Sequence, residues 1–165
     1  MSEYTTVFGS LDHYDKGGVQ VIDDDPRYYA FSNVFEVASR AAPYEKIAVG
    51  KNMEYVLETI RAEGTSEWRA TPHDEFPLVM DGEVTVELRD PAGELVDPEA
   101  SGSIGLPGEP EGTPMGTLVL RRGHMGLLPA GTAYRFVAAS PSVILLQTIA
   151  WPDTVFKWSE ICQTV

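Results

Sequence analysis

The sequence predicts an all-β domain, a barrel or a sandwich, on two observations. Short apolar runs of strand length recur from residue 76 onward, each closed by a turn rich in Gly, Pro, Asp or Ser. The pair Asp81-Gly82 stands between two of them, Phe76 to Met80 and Val84 to Leu88, which reads as a hairpin. Taken in order, residues 1 to about 50 are turn-rich and aromatic. Tyr4, Phe8, Tyr14, Tyr28, Tyr29, Phe31, Phe35 and Tyr44 alternate there with Gly17, Gly18, Pro26 and Pro43. Val19 to Ile22 and Phe31 to Val37 fit short strands or a helical turn, and the run Asp23-Asp24-Asp25-Pro26 separates them. This segment is expected to be an ordered arm that packs on something. Met53 to Ala62 is ambiguous: Met53, Val56, Leu57 and Ile60 fit a helical face, while Tyr55, Leu57 and Thr59 alternate like a strand.

Beyond the hairpin, residues 89 to 116 turn to Pro, Gly and acid, as in Asp90-Pro91-Ala92-Gly93 and Leu106-Pro107-Gly108-Glu109-Pro110. That composition predicts a long surface loop inserted in the barrel. Strands resume at Thr117 to Leu120, Gly126 to Leu128, Tyr134 to Ala138 and Val143 to Ile149. Asp153 to Gln163 carries Val155, Phe156, Trp158 and Ile161 near helical spacing, which predicts a short terminal helix. The expected division is an arm over 1–50 and a barrel over 51–165, with 89–116 as the insertion.

At 165 residues the chain suits one domain with a core of its own. Its only cysteine, Cys162, rules out an internal disulfide, and Met1 to Ser10 has neither a basic leader nor an apolar run. The cytoplasm is the expected compartment. No apolar run reaches the ~18 residues of a membrane span. Twenty-five acidic against twelve basic residues give a formal charge of -13, which repels nucleic acid and anionic lipid. Neither is an expected partner.

Two spaced motifs carry the chemistry. Arg69-Ala70-Thr71-Pro72-His73-Asp74-Glu75, followed by six residues and then Gly82, resembles the first motif of the cupins, G-x5-H-x-H-x3,4-E-x6-G. Gly123-x5-Pro129-x-Gly131-x2-Tyr134-x3-Ala138 resembles the second, G-x5-P-x-G-x2-H-x3-N. The resemblance implies a cupin-type double-stranded β-helix, a jelly-roll barrel, with an extended N-terminal arm and a short C-terminal helix. It also makes Met53 to Ala62 a strand.

Metal-binding cupins hold a divalent ion with three imidazoles and one carboxylate, a donor set suited to iron or manganese. Here those histidine positions fall on Arg69, Thr71 and Tyr134, and only the carboxylate, Glu75, remains. These four are the vestigial metal-site positions, and one carboxylate does not hold a catalytic ion. The turn glycines and the proline have been kept while the ligands have gone. Glu75 is expected to pair with Arg69, whose cation would fill the vacated space, or with Tyr134. His73 would share a face with Glu75 on a strand, but two ligands are too few, and neither His13 nor His124 has a motif to join them.

Other chemistry has less behind it. Ser10-Leu11-Asp12-His13 lacks the strand-turn-helix context of a hydrolase nucleophile, and Cys162 lacks a basic neighbour to lower its pKa.

A closer resemblance, spanning nearly the whole chain, is to the small subunit of the two-component, iron(II)-dependent hydroquinone 1,2-dioxygenases of bacterial 4-nitrophenol and 4-hydroxyacetophenone breakdown. It rests on Asp15-Lys16-Gly17-Gly18-Val19-Gln20-Val21-Ile22-Asp23-Asp24-Asp25-Pro26, on Tyr29 to Ser39, on Ile47-Ala48-Val49-Gly50-Lys51-Asn52, and on His73-Asp74-Glu75-Phe76 with Met80-Asp81-Gly82. The resemblance implies a non-catalytic role for this chain, with no cofactor of its own and Fe(II) in a large, cupin-like catalytic subunit. It also implies a heterotetramer that opens hydroquinone, an aromatic diol, with O2 to 4-hydroxymuconic semialdehyde. An aromatic arm suits an interface, and Tyr14, Phe31, Phe35 and Tyr44 are its candidate anchors. The competing reading is a metal-free, small-molecule-binding or isomerising cupin that works alone through Arg69, Glu75 and Tyr134.

Overall fold

The computed structural model describes residues 7–18, 20–25 and 32–162. Eight strands form one curled sheet: β1 (Ile47–Asn52), β2 (Tyr55–Thr65), β3 (Arg69–Ala70), β4 (Phe76–Asp81), β5 (Glu83–Pro91), β6 (Ile104–Gly105), β7 (Gly112–Arg121) and β8 (Ala133–Ile149). Helices α1 (Val34–Arg40) and α2 (Trp158–Ile161) flank them.

The 17-residue β8 organises the barrel, because β2 runs along both of its halves while β4 and β5 take one half each. Residues 143–147 lie between β2 and β4. Residues 133–137 pair with β5, which continues to β7, and Tyr134 and Ala133 also pair with β3, which continues to β6. The Ser140-Pro141 turn expected between two strands is therefore a corner within one. Along β2 and β8 alternate residues point inward. Ile60, Ala62, Tyr134, Phe136, Ala138, Ile144 and Leu146 meet Val79, Val84, Val86, Leu120 and Leu128 in the main core.

Met53 to Ala62 is strand from Tyr55 onward, entered through a tight turn at Met53, whose φ is +57°. The sheet starts earlier than residue 51, since β1 pairs with β2 from Ile47.

The hairpin reading needs correction. Asp81-Gly82 does turn the chain, yet β4 and β5 pair with opposite halves of β8 and not with each other. The turn signal is local, while the partner of each strand is set by β8, some sixty residues on. Gly82 has φ +76°, and a Cβ there would sit 2.2 Å from Ser142 Oγ, at the corner of β8. Gly82→Ala should therefore cost about 2 kcal/mol, a fall of roughly 4–8 °C in thermal midpoint. Scanning calorimetry reads this directly.

The segment 89–116 also departs from a free surface loop. The β5–β7 ladder extends through Arg89↔Pro114 to Pro91↔Gly112. β6 is stitched to β3, and Ser103 is buried. Backbone pairing is indifferent to side-chain polarity, so composition does not reveal these strand ends within the segment, whose residues 92–103 and 106–111 are loop.

In the arm, residues 34–40 are helix. Asn33 caps it, accepting from the N–H of Phe35 at 2.9 Å and of Glu36 at 3.3 Å. Val37 and Ala41 pack with Ile47, Val49, Val155 and Ile161 in a second, smaller core. The terminal helix is one turn, Trp158–Ile161, shorter than the span 153–163. Val19 and Phe31 lie outside the described residues. No helix among the described residues is long and apolar enough to cross a membrane.

Candidate functional site

The two motifs meet inside the barrel. Glu75 precedes β4 and is fully buried. Tyr134 Oη donates to its Oε2 at 2.5 Å, and Thr148 Oγ1 donates to its Oε1 at 2.5 Å. Both donors come from β8, one from each half, so the corner at 140–141 brings residues fourteen apart onto one carboxylate. Burial, and then the carboxylate of Glu75, push the Tyr134 hydroxyl well above the ordinary tyrosine range. It thus keeps its proton and stays a donor.

Arg69 does not fill the vacated space as a partner of Glu75. Its guanidinium is spent on the other side: Nη1 on Glu67 at 2.5 Å, Nη2 on Asp153 and on the Ser103 carbonyl at 2.9 Å, and Nε on Ser103 Oγ at 3.2 Å. Of the two expected partners of Glu75, only Tyr134 bonds it. Thr71 is buried, with its hydroxyl accepting from the N–H of His73 at 3.3 Å and its carbonyl accepting from the N–H of Gly131 at 2.8 Å.

A divalent ion does not fit these residues. Both oxygens of Glu75 are engaged, and Arg69 is a cation with no lone pair to offer. His73 Nδ1 bonds the Asp74 carbonyl at 3.0 Å, and His124 Nδ1 accepts from the N–H of Arg121 at 3.2 Å. No group of three His, Cys, Asp or Glu among the described residues is placed to hold a metal.

A second buried layer adjoins the first and was not singled out from the sequence. Lys46 Nζ donates to Ser103 Oγ at 2.7 Å and lies 3.8 Å from Glu58 Oε2. Thr154 Oγ1 donates to Glu58 Oε1 at 2.6 Å. Burial raises the Glu58 carboxyl, and Lys46 and Thr154 offset only part of that. Glu58 shares the inward phase of Val56, Ile60 and Ala62 on β2, a signal that marks it as buried. Ser103 carries no such signal.

The arm is tied to β4. Leu11 N–H donates to Asp81 Oδ2 at 2.8 Å, Arg122 binds Oδ1, and the Arg122 guanidinium lies 6.0 Å from the Phe8 ring centre. Tyr14 stacks on Phe35 with ring centres 6.2 Å apart. Tyr44 differs: it packs against the barrel's main core, donates to the Gly64 carbonyl at 2.7 Å, and burial pushes its hydroxyl up to about 12. An open hollow of about 540 Å³ lies between Phe8, Gly9 and Phe35 on the arm and Leu78, Met80 and Arg122.

The tether has a testable pH dependence. Burial works against the charge of Asp81, but hydrogen bonds from Arg122, Leu11 and Gly82 outweigh it and hold the carboxyl below the usual aspartate range. A depressed folded-state pKa gives stability that is present above the unfolded value, near 4, and lost as pH falls through the folded one. Residues 7–15 should therefore become protease-sensitive only below about pH 4 in the wild type. Asp81→Asn should show that sensitivity at neutral pH, and limited proteolysis checks both.

Fold and site together define a cupin-type barrel with a buried carboxylate, Glu75, closed off by hydrogen bonds from Tyr134 and Thr148. In fold it resembles a cupin-2 domain protein of Shewanella frigidimarina, at TM-score 0.51 and 16% identity over 70% of this chain and 89% of the other. The hydroquinone 1,2-dioxygenase of Sphingomonas sp. TTNP3, solved with 4-hydroxybenzoate, contains a chain 56% identical to this one. The match has TM-score 0.95 and covers 98% of this chain and 99% of that one. The hydroquinone 1,2-dioxygenase PnpCD, solved with Cd2+ and 4-hydroxybenzonitrile, contains a chain 52% identical over 98% of both, at TM-score 0.92. The chain belongs to the hydroquinone 1,2-dioxygenases. The Sphingomonas enzyme also contains a larger chain, of which this one covers 37%, at TM-score 0.58 and 15% identity. That family thus joins two unlike chains that share one fold. No protein-family model and no curated protein sequence matches the chain.

Proposed function

We propose that this chain is the non-catalytic small subunit of a cytoplasmic, heteromeric, ring-cleaving hydroquinone 1,2-dioxygenase, and that a larger cupin-like subunit holds the Fe(II). The complex, a heterotetramer, takes hydroquinone and O2 to 4-hydroxymuconic semialdehyde and serves 4-nitrophenol breakdown. The observation that carries this reading is Glu75, the one carboxylate left at the vestigial ligand positions, with both oxygens occupied by Tyr134 and Thr148. The PnpCD member of the family is known with Cd2+ and with Fe3+, which supports a metal site on the other chain.

The metal-free binding reading has less support, because Arg69, Glu75 and Tyr134 all spend their polar atoms on internal partners. The small subunit supplies structure, and Tyr14 and Phe35, with Phe8 beside them, are its proposed anchors on the arm. Metal analysis of the separated subunits tests the assignment. Iron should follow the large chain at about one ion per copy, whereas iron retained by this chain after separation would refute the reading.

A further inference from the structure

The outward face of β2, β8, β4 and the segment 123–128 is apolar in an otherwise acidic chain. Register places its residues in rows. Leu57 and Phe76 both pair with Gln147, from opposite sides. The bridges Glu75↔Leu128 and Leu78↔Met125 put Leu127 opposite Phe76. The next rows hold Leu145, Leu78 and Met125 on one side, where the face ends at the buried Thr59, and Tyr55 with Ile149 on the other. None of these outward positions is charged, although the chain has 25 acidic residues. Tyr55 is 49% exposed, Leu57 40%, Phe76 36%, Met125 61% and Leu127 44%. A sheet face that meets water carries charged residues, and one whose exposed side chains are largely apolar and wholly uncharged marks a docking surface.

Leu78 carries this face into the hollow bounded by Phe8 and Phe35, so face and arm form one continuous apolar surface. With strands ~4.8 Å apart the face is about 15 Å wide, the size of an interface centre and not of a whole interface.

Resting on the reading above, we propose that this face is the centre of the contact with the large subunit, packed against the domain of that chain that shares this fold. Two features select this occupant over a second copy. Each copy carries a charge of -13, which opposes self-association. And the Sphingomonas enzyme presents the same fold in its larger chain, which offers a sheet of matching curvature.

The test is Leu57→Lys with Leu127→Lys, made in the full chain and mixed with the large subunit. Val119→Lys, an exposed position on β7 away from this face, serves as the control, and circular dichroism of each variant confirms its fold. The double variant should bind at least about 100-fold more weakly, with Val119→Lys unchanged. Equal binding of wild type and double variant overturns the face alone. A wild type that fails to bind the large subunit overturns this face together with the subunit reading. Loss of a self-association of this chain, with the large subunit still bound, assigns the face to a second copy and also overturns the proposal.

Discussion

Replacing Glu75 with alanine should cost this chain about 3–5 kcal/mol, roughly 6–20 °C in thermal midpoint. The substitution empties a fully buried site and strands two hydroxyls, those of Tyr134 and Thr148, with no acceptor. Glu75→Gln keeps the shape and one acceptor oxygen, and so should lose only about 1–2 kcal/mol. If Glu75 were instead kept as a metal ligand, both variants would leave the metal-free fold nearly untouched and would abolish a bound ion. Urea unfolding without metal separates these cases: a midpoint for Glu75→Ala equal to the wild type would refute the structural role.

The second large effect concerns assembly. Deleting residues 1–45 should abolish complex formation, and with it the oxygenase activity of the pair. The arm is bonded to the barrel through Leu11 and Asp81, stacked through Tyr14 and Phe35, and shares the hollow that ends the apolar face. Because α1 and its C-cap contribute Val37 and Ala41 to a small core, the truncated chain should also lose some stability. A shorter deletion of residues 1–18 keeps α1 and its Asn33 cap, and so reports on docking with less effect on folding. Gel filtration of the mixed subunits gives the result, and an undiminished complex from either truncation would remove that portion of the arm from the interface.

The site was legible where spacing reflects a constraint on the backbone. Gly82 survives because a side chain there would meet Ser142, and counting from it locates Glu75. The second motif locates Tyr134 in the same way. The choice between Arg69 and Tyr134 as the partner of Glu75 was not legible, because the acceptors that draw Arg69 away come from far along the chain. Ser103 sits in a stretch that composition assigns to a loop, and Asp153 in the terminal segment. The fold was readable strand by strand, yet not in its pairings: β4 and β5 look like a hairpin until the length of β8 shows that each has its own half of that strand. Tyr44, which looks like an interface aromatic in the sequence, spends its ring on the barrel's own core.

The central claim is that this chain supports catalysis without performing it. Oxygen uptake with hydroquinone and iron(II) tests it most directly, measured first with this chain alone and then with the large subunit added. Uptake only in the pair, with ring-cleaved semialdehyde formed in step with the oxygen consumed, is the expected result. Turnover by this chain alone would contradict it, because Glu75 would then be holding a metal in spite of its two hydroxyl partners.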